Sequence, residues 1–226
     1  ALFELLRQHN LLIRKRKRKV QTTFSKHWLK KYSNLIRKFT PLASNLLWVS
    51  DITYIVVADQ YAYLSLITDA YSRKIIGFYL SKTLEAIGCI NALQMAMKTT
   101  KIFEELIHHS DRGVQYCSHG YVTLLQANNI KISMTENGDP LENAIAERIN
   151  GILKDEYLDN YIINNIKEAR ELIKTCIKLY NEERPHLSIS MLTPNQVHYA
   201  KEELNTNRLW KNYYTKDPMF VNSNQD

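Results

Sequence analysis

Leu46 to Ala58 is apolar and β-branched, is interrupted by a single acid at Asp51, and turns at Asp59-Gln60. Such a run predicts a strand. Tyr61–Ala70 reads as a second strand and Arg73–Leu80 as a third, and the short turns between them predict an antiparallel meander. From Thr83 to Thr100 the period changes: Ala86, Ile90, Leu93 and Met97 recur at helical spacing. Leu106–Ser110 reads as a short strand that stops at Asp111-Arg112-Gly113. A helix over Gly120–Asn128, a strand over Ile130–Met134 and a polar loop through Asn137-Gly138 follow.

Asp139-Pro140 carries the signals of a helix start. Asp suits the cap, Pro suits the first helical position, and Glu142 completes the spacing of a capping box. Leu141, Ile145, Ile149, Ile152 and Leu153 form the apolar face of that helix. A further helix is predicted from Ile166 to Tyr180, and Thr193-Pro194 opens a short one. The order βββαβαβα is that of an α/β domain with a mixed sheet, long enough to bury a core.

The N-terminal part reads differently. Residues 1–9 have the pattern of a helix end, and the chain starts with Ala, as a piece of a longer protein would. Arg14, Lys15, Arg16, Lys17, Arg18 and Lys19 form an unbroken basic run. From Thr22 to Phe39 basic residues are interleaved with Phe24, Trp28, Tyr32 and Phe39. Cations that neutralise phosphates and rings that stack on bases suit nucleic acid; an amphipathic helix docking its rings on the core is the plainer alternative. Three segments follow: a basic, mostly helical arm over 1–44, a catalytic core over 45–200, and a tail over 201–226.

Charge sharpens this division. The 226 residues carry a formal net charge of +7. Residues 1–45 hold 12 Lys or Arg against one acid, net +11, and the remainder is net −4. A basic arm is attached to a mildly acidic core. Hydrophobic residues at 45% and charged residues at 23% are ordinary for a globular chain and exclude a disordered one. Cys89, Cys117 and Cys176 lie far apart with no CxxC, so neither a zinc module nor a disulfide framework is signalled, and a cytoplasmic location is the expectation. No apolar run approaches the roughly 18 residues that span a bilayer.

Asp51 is the acid that interrupts an apolar strand, and burying a carboxylate is costly unless it is paired or binds a metal. Asp111 stands where a short strand ends, the place where open α/β sheets bind ligands. Glu147 lies on a polar stripe with Asn143, Asn150 and Lys154, away from the apolar face of its helix. Singly, each acid has an ordinary reading as a hydrogen-bonded strand residue, a turn former or a surface residue. Asp139 and Glu142 are rival acids whose capping role suffices. Together, three carboxylates from two strands and a helix suit Mg²⁺, a hard cation that prefers oxygen ligands. Two such ions about 4 Å apart would serve an in-line phosphoryl transfer.

The stretches LWVSDITYI, HHSDRGVQYCS and NGDPLENAIAERINGILKDEY, in this order, resemble the integrase-core transposases of bacterial insertion sequences, the frameshift-expressed DDE enzymes related to retroviral integrases. Asp111 and Glu147 are separated by 35 residues, as in that group. Tyr180-Asn181-Glu182-Glu183-Arg184-Pro185-His186, Thr193-Pro194, Thr22-Thr23 and Asn34-Leu35 also fit. The resemblance implies an RNase H-like five-stranded mixed sheet flanked by helices. It implies Asp51, Asp111 and Glu147 as catalytic ligands of two Mg²⁺ or Mn²⁺ ions, and cleavage of transposon ends followed by transfer of the 3′-OH into DNA. Arg112, Arg148 and Lys154 are expected to contact DNA beside the basic run. Further expectations are a homo-oligomeric synaptic complex on end and target DNA, an upstream helix-turn-helix encoded in a separate frame, and a nucleoid-associated bacterial protein without membrane contact. The Arg184–His186 segment reads equally as a self-stabilised helix end. Competing readings are an RNase H-like nuclease and a truncated DNA-binding repressor; the acid spacing and the basic arm favour strand transfer.

Overall fold

The computed structural model describes residues 2–9, 27–100, 105–136 and 140–200. Outside them lie the Arg14–Lys19 run, Thr22-Thr23, Phe24, the Asn137-Gly138 loop, Asp139 and the 201–226 tail.

Among the described residues five strands form one sheet: β1 (Leu47–Val57), β2 (Gln60–Asp69), β3 (Ile75–Ser81), β4 (Ile107–Ser110) and β5 (Lys131–Met134), in the spatial order β3-β2-β1-β4-β5. β1, β2 and β3 pair antiparallel, as their short turns predict, whereas β4 and β5 join parallel to β1. The parallel half requires crossovers, supplied by α2 (Ala86–Thr99) between β3 and β4 and by α3 (His119–Ala127) between β4 and β5. After β5 come a 3₁₀ turn over Pro140–Asn143, α4 (Ala144–Ile152), a π-helical turn over Leu153–Leu158, α5 (Ile166–Glu183) and α6 (Pro194–His198). A short α1 (Leu2–Gln8) precedes all of these.

Alternation along the strands sends side chains to two cores. Trp48, Ile52, Ile67 and Ile76 pack with Cys89, Ala92, Leu93 and Ala96 of α2 and with Tyr121 and Leu125 of α3. Ile55, Leu64, Leu66 and Leu80 pack on the other face with Ile149 and Ile152 of α4 and with Ile173, Ile177 and Tyr180 of α5. α2 lies close to the sheet because Gly77 has no side chain: a Cβ there would stand 2.3 Å from the Ala92 carbonyl oxygen. Cys89, Cys117 and Cys176 are buried free thiols.

Two expectations are corrected. The aromatic-rich stretch entering the core is not helical over 27–45. It is irregular chain that lies on the core: Tyr32 and Leu29 pack beside the α2/α3 cluster, and Ile36 and Phe39 pack with Leu47, Val49 and Ala146. Only Trp28 of these rings stands out, 92% exposed. The helix expected to run on from Pro140 is instead three pieces, 3₁₀, α and π. Its Glu142, read as a capping acid, is buried, and its carboxylate accepts from the Glu136 amide at 2.6 Å. Capping does not account for that contact.

Candidate active site

Asp51 sits mid-strand in β1, with Leu66 of β2 as its register partner. Its alternation parity turns it to the α4/α5 face. There Asn150 of α4 donates from Nδ2 to Asp51 Oδ2 at 2.8 Å, and the Ile52 amide donates to Oδ1 at 2.9 Å. Burial, and then the charge of Asp111, push the Asp51 carboxyl up to about 7; Glu147 adds a weaker push in the same direction. Burial is the main cause of the shift, and like charge nearby adds to it because it disfavours ionisation.

Asp111 follows β4 directly. The Gly113 amide donates to its Oδ1 at 2.9 Å, which fixes the carboxylate over the turn. A Cβ at Gly113 would fall 3.0 Å from that same oxygen, so the glycine leaves room for the acid. Glu147 is exposed, in the first turn of α4, one helical turn before Asn150. Among the described residues no three His, Cys, Asp or Glu side chains close into a metal-holding group.

The donor chemistry fits a hard divalent cation. All three acids offer oxygen, and Asn150 Oδ1 beside Asp51 is buried with no hydrogen-bond partner among the described residues. Asn143, on the same stripe, is spent on the backbone: its Nδ2 donates to the Ser50 carbonyl at 3.0 Å, tying the start of α4 to β1.

The basic residues expected near the acids differ in their surroundings. Lys154 lies in the π-helical turn with Nζ 3.9 Å from the Tyr54 ring centroid, a cation–π contact on the β1 side of the site. Arg148 is exposed beside Glu147. Arg112 is half-buried and holds the molecule together: Nη1 donates to the Glu136 carbonyl at 3.1 Å, and His27 Nε2 donates to the Arg112 carbonyl at 2.9 Å. Arg184 forks onto Glu156 at 2.6 and 2.7 Å, and His186 is buried against Tyr180. Burial, then the charges of Arg184 and Arg73, hold the His186 imidazole down at about 4.

Two features beside the acids have no counterpart in the sequence reading. On the opposite face of β1, Ser50 Oγ and the Tyr121 hydroxyl lie 2.6 and 2.8 Å from His108 Nε2, all buried. Burial, then the charge of neighbouring His109, lower the His108 imidazole to about 3. His109 turns the other way, with Nε2 2.8 Å from the Glu142 carbonyl oxygen and Nδ1 2.8 Å from Ser133 Oγ; burial lowers it to about 4. The doublet His108-His109 two residues before Asp111 was the available signal, since paired histidines inside an apolar strand need partners.

Two integrase core domain models match the chain, over residues 41–140 and 128–194. The chain is 36% identical over 192 residues to an uncharacterized 31 kDa protein of insertion element IS600 from Shigella sonnei, covering 84% of this chain and 71% of that protein. It is 31% identical over 193 residues to the transposase InsF of insertion sequence IS3A from Escherichia coli, covering 84% and 67%. In fold it is similar to the HTLV-2 integrase catalytic core domain in complex with magnesium, with a TM-score of 0.58 at 21% identity over 71% of this chain and 100% of that one. A chain of a simian T-cell lymphotropic virus intasome matches with a TM-score of 0.61 at 17% identity, covering 79% and 62%.

Proposed function

The chain belongs to the integrase-core transposases of bacterial insertion sequences, and from that premise we propose that Asp51, Asp111 and Glu147 are the catalytic carboxylates of metal-dependent DNA cleavage and strand transfer. The observation that carries this reading is the buried Asp51 carboxylate held by Asn150 and the Ile52 amide, raised first by burial and then by the charge of Asp111, with a weaker push from Glu147. A fold has little reason to set a strand acid against two others unless a cation is to be shared.

The three carboxylates would hold Mg²⁺ or Mn²⁺, two ions by the needs of an in-line displacement. When bound, such ions polarise the scissile phosphate and stabilise the charge on the entering and leaving oxygens. The chain's own residues supply the geometry. Asn150 and the Ile52 amide orient Asp51, the Gly113 amide orients Asp111, and Glu147 stands on α4 one helical turn before Asn150. In the first reaction water attacks a phosphodiester at the element's end; the P–O bond to the 3′ oxygen breaks, and that oxygen takes a proton. In the second, the freed 3′-OH attacks a phosphodiester of target DNA and loses its proton to solvent; the target's P–O bond to its own 3′ oxygen breaks, and that oxygen leaves as a 3′-OH by taking a proton from solvent.

DNA contacts are assigned to Lys154 and Arg148 beside the acids and to the Arg14–Lys19 run. Arg112 enters as a residue that shapes the turn after Asp111. Two ends must meet, so a homo-oligomeric synaptic complex on DNA is part of the proposal, as is an upstream helix-turn-helix encoded in a separate frame. The division into an arm over 1–44, a core over 45–200 and a tail over 201–226 belongs to the same reading. So does a nucleoid-associated location; no helix among the described residues is long and apolar enough to cross a membrane. The nuclease and repressor readings are not favoured by membership among transposases.

The test is a gel assay with labelled element-end DNA and Mg²⁺. Wild type should cleave and join, and Asp111→Asn should do neither while still binding. Cleavage without joining would point to a nuclease, and binding without either in the wild type to a repressor. Removing residues 1–26 should flatten the salt dependence of DNA affinity by about 5 in the log–log slope, from the six charges of the run; an unchanged slope would remove the arm from DNA binding.

A further inference from the structure

The chain entering the core, residues 34–37, is bound to the segment that leads into α4, and the two meet at one buried carboxylate. Asn34 N–H donates to Glu136 Oε1 at 2.9 Å, and Arg37 Nη2 pairs with Glu136 Oε2 at 2.9 Å. Glu136 N–H in turn donates to Glu142 Oε2 at 2.6 Å. Asn34 Nδ2 and Arg37 Nη2 reach Glu142 Oε1 at 3.4 and 3.5 Å. The Glu142 side chain is 1% exposed, so its charge depends on these donors.

A second path runs beneath the first. The Glu142 carbonyl can only accept, so His109 Nε2 carries the proton and donates at 2.8 Å. His109 Nδ1 is then an acceptor and takes the Ser133 hydroxyl at 2.8 Å. Ser133 Oγ accepts from the Leu35 amide at 2.9 Å. Every donor and acceptor in this chain of bonds has one consistent direction: Leu35 to Ser133 to His109 to Glu142.

The two paths link three places. His109 lies two residues before Asp111, Glu142 lies five before Glu147, and residues 34–37 join the core to the basic arm. We propose that Glu142 is a positioning residue through which the seating of residues 34–37 sets the placement of Glu147 relative to Asp111. The proposal rests on the reading of Glu147 as a catalytic acid. In it the arm is coupled to the active site by a built contact: chain 34–37 in place holds α4 in its working position, and chain 34–37 displaced releases it. The separation in sequence is large, 108 residues from Asn34 to Glu142. Propensity or capping does not ask for such contacts, and a carboxylate that merely capped a helix would not need to be buried.

The experiment uses the full chain and two variants, Glu142→Gln and the pair Asn34→Ala with Arg37→Ala. Gln places an NH₂ where two of the donors now point. The first readout is amide hydrogen exchange by mass spectrometry over residues 144–152, which requires neither DNA nor metal. Exchange there should quicken at least fivefold in the linker pair, although no substituted residue lies in α4. The second readout is end cleavage under single turnover. The rate should fall at least tenfold in both variants, the Mg²⁺ concentration for half-maximal rate should rise at least threefold, and the DNA Kd should move less than twofold in Glu142→Gln. Glu142→Asp, which keeps the carboxylate, should recover part of the rate.

Unchanged exchange over 144–152 in the linker pair overturns the coupling. Equal loss in Glu142→Asp and Glu142→Gln overturns the role of the carboxylate. If Glu142→Gln fails to give a cooperative melt, the linker pair decides alone. If Glu147→Gln retains full cleavage, the catalytic reading of Glu147 fails, and the exchange result still decides the coupling.

Discussion

Ser50 and Asp51 are neighbours on one strand and face opposite ways. Ser50 joins His108 and Tyr121 in a buried cluster under α3, in which every member is neutral. Asp51 faces α4 with a charge that burial and its neighbours oppose. In the first cluster hydroxyls and an imidazole share hydrogen bonds out of reach of water, with His108 Nδ1 the one ring nitrogen left without a partner among the described residues. The second costs stability, because a carboxylate raised to about 7 is disfavoured in the folded chain at neutral pH. The difference teaches how one strand divides its labour. Both faces of β1 pack a core; the buried polar cluster beside α3 is made of neutral groups, and the carboxylate stands on the α4 side, where the proposed cation site lies.

The comparison breaks most visibly at Asp51. Asp51→Asn should reduce end cleavage by roughly a thousandfold or more. Chemical denaturation should find it no less stable, and more stable by roughly 1–3 kcal/mol, because the change removes an opposed charge. Loss of stability together with retained cleavage would reverse the assignment of the two faces. His108→Ala should do the opposite. It leaves a cavity and removes the imidazole that two buried hydroxyls share, costing about 2–4 kcal/mol, with single-turnover cleavage within about threefold of wild type at a temperature well below melting. Activity loss of the size seen for Asp51→Asn would place His108 in the chemistry.

The pH dependence of stability separates the faces by sign. The folded-state value of His108, about 3, lies below the usual 6.5. The unfolded chain therefore takes up the proton first as pH falls. The stability tied to neutral His108 is complete above pH 6.5 and is lost as pH drops toward 3, by about 1.4 kcal/mol per pH unit. Asp51 acts oppositely: its raised value means the folded chain holds the proton first, so stability rises as pH falls from about 7 toward 3.8. The difference between wild type and His108→Asn isolates the histidine. The variant's stability should fall less steeply between pH 6 and 4, and parallel curves would show that His108 is not buried neutral. The smallest effect is that of Tyr121→Phe, which removes one hydroxyl from the cluster. It should cost about 1 kcal/mol and leave cleavage unchanged.

Much of this was legible in the chain. The strands and helices follow from apolar, β-branched runs bounded by turn residues and from the 3.6-spacing on α2, which are local signals. The acids stood out because each breaks an apolar or structural pattern. What escaped were contacts between distant segments. Residues 22–39 look helical or nucleic-acid-like by composition, yet in the described part Tyr32, Ile36 and Phe39 lie on the core as irregular chain. Their partners come from α2, α4 and β1, which no local pattern names. A nearby Asp-Pro gives Glu142 a capping role, and nothing local in the sequence names a partner 108 residues away. Ser50 resembles any strand serine until His108 is set beside it by the parallel pairing of β1 with β4.

The central claim is that Asp111 is a metal ligand in the cleavage of DNA, and ligand softness tests it directly. Mg²⁺ binds oxygen and accepts sulfur poorly, whereas Mn²⁺ tolerates a thiolate. Single-turnover cleavage of element-end DNA should be absent in Asp111→Cys with Mg²⁺ and partly restored with Mn²⁺, while Asp111→Ala stays inactive with both. Wild-type cleavage by Asp111→Cys or Asp111→Ala in Mg²⁺ would contradict the account.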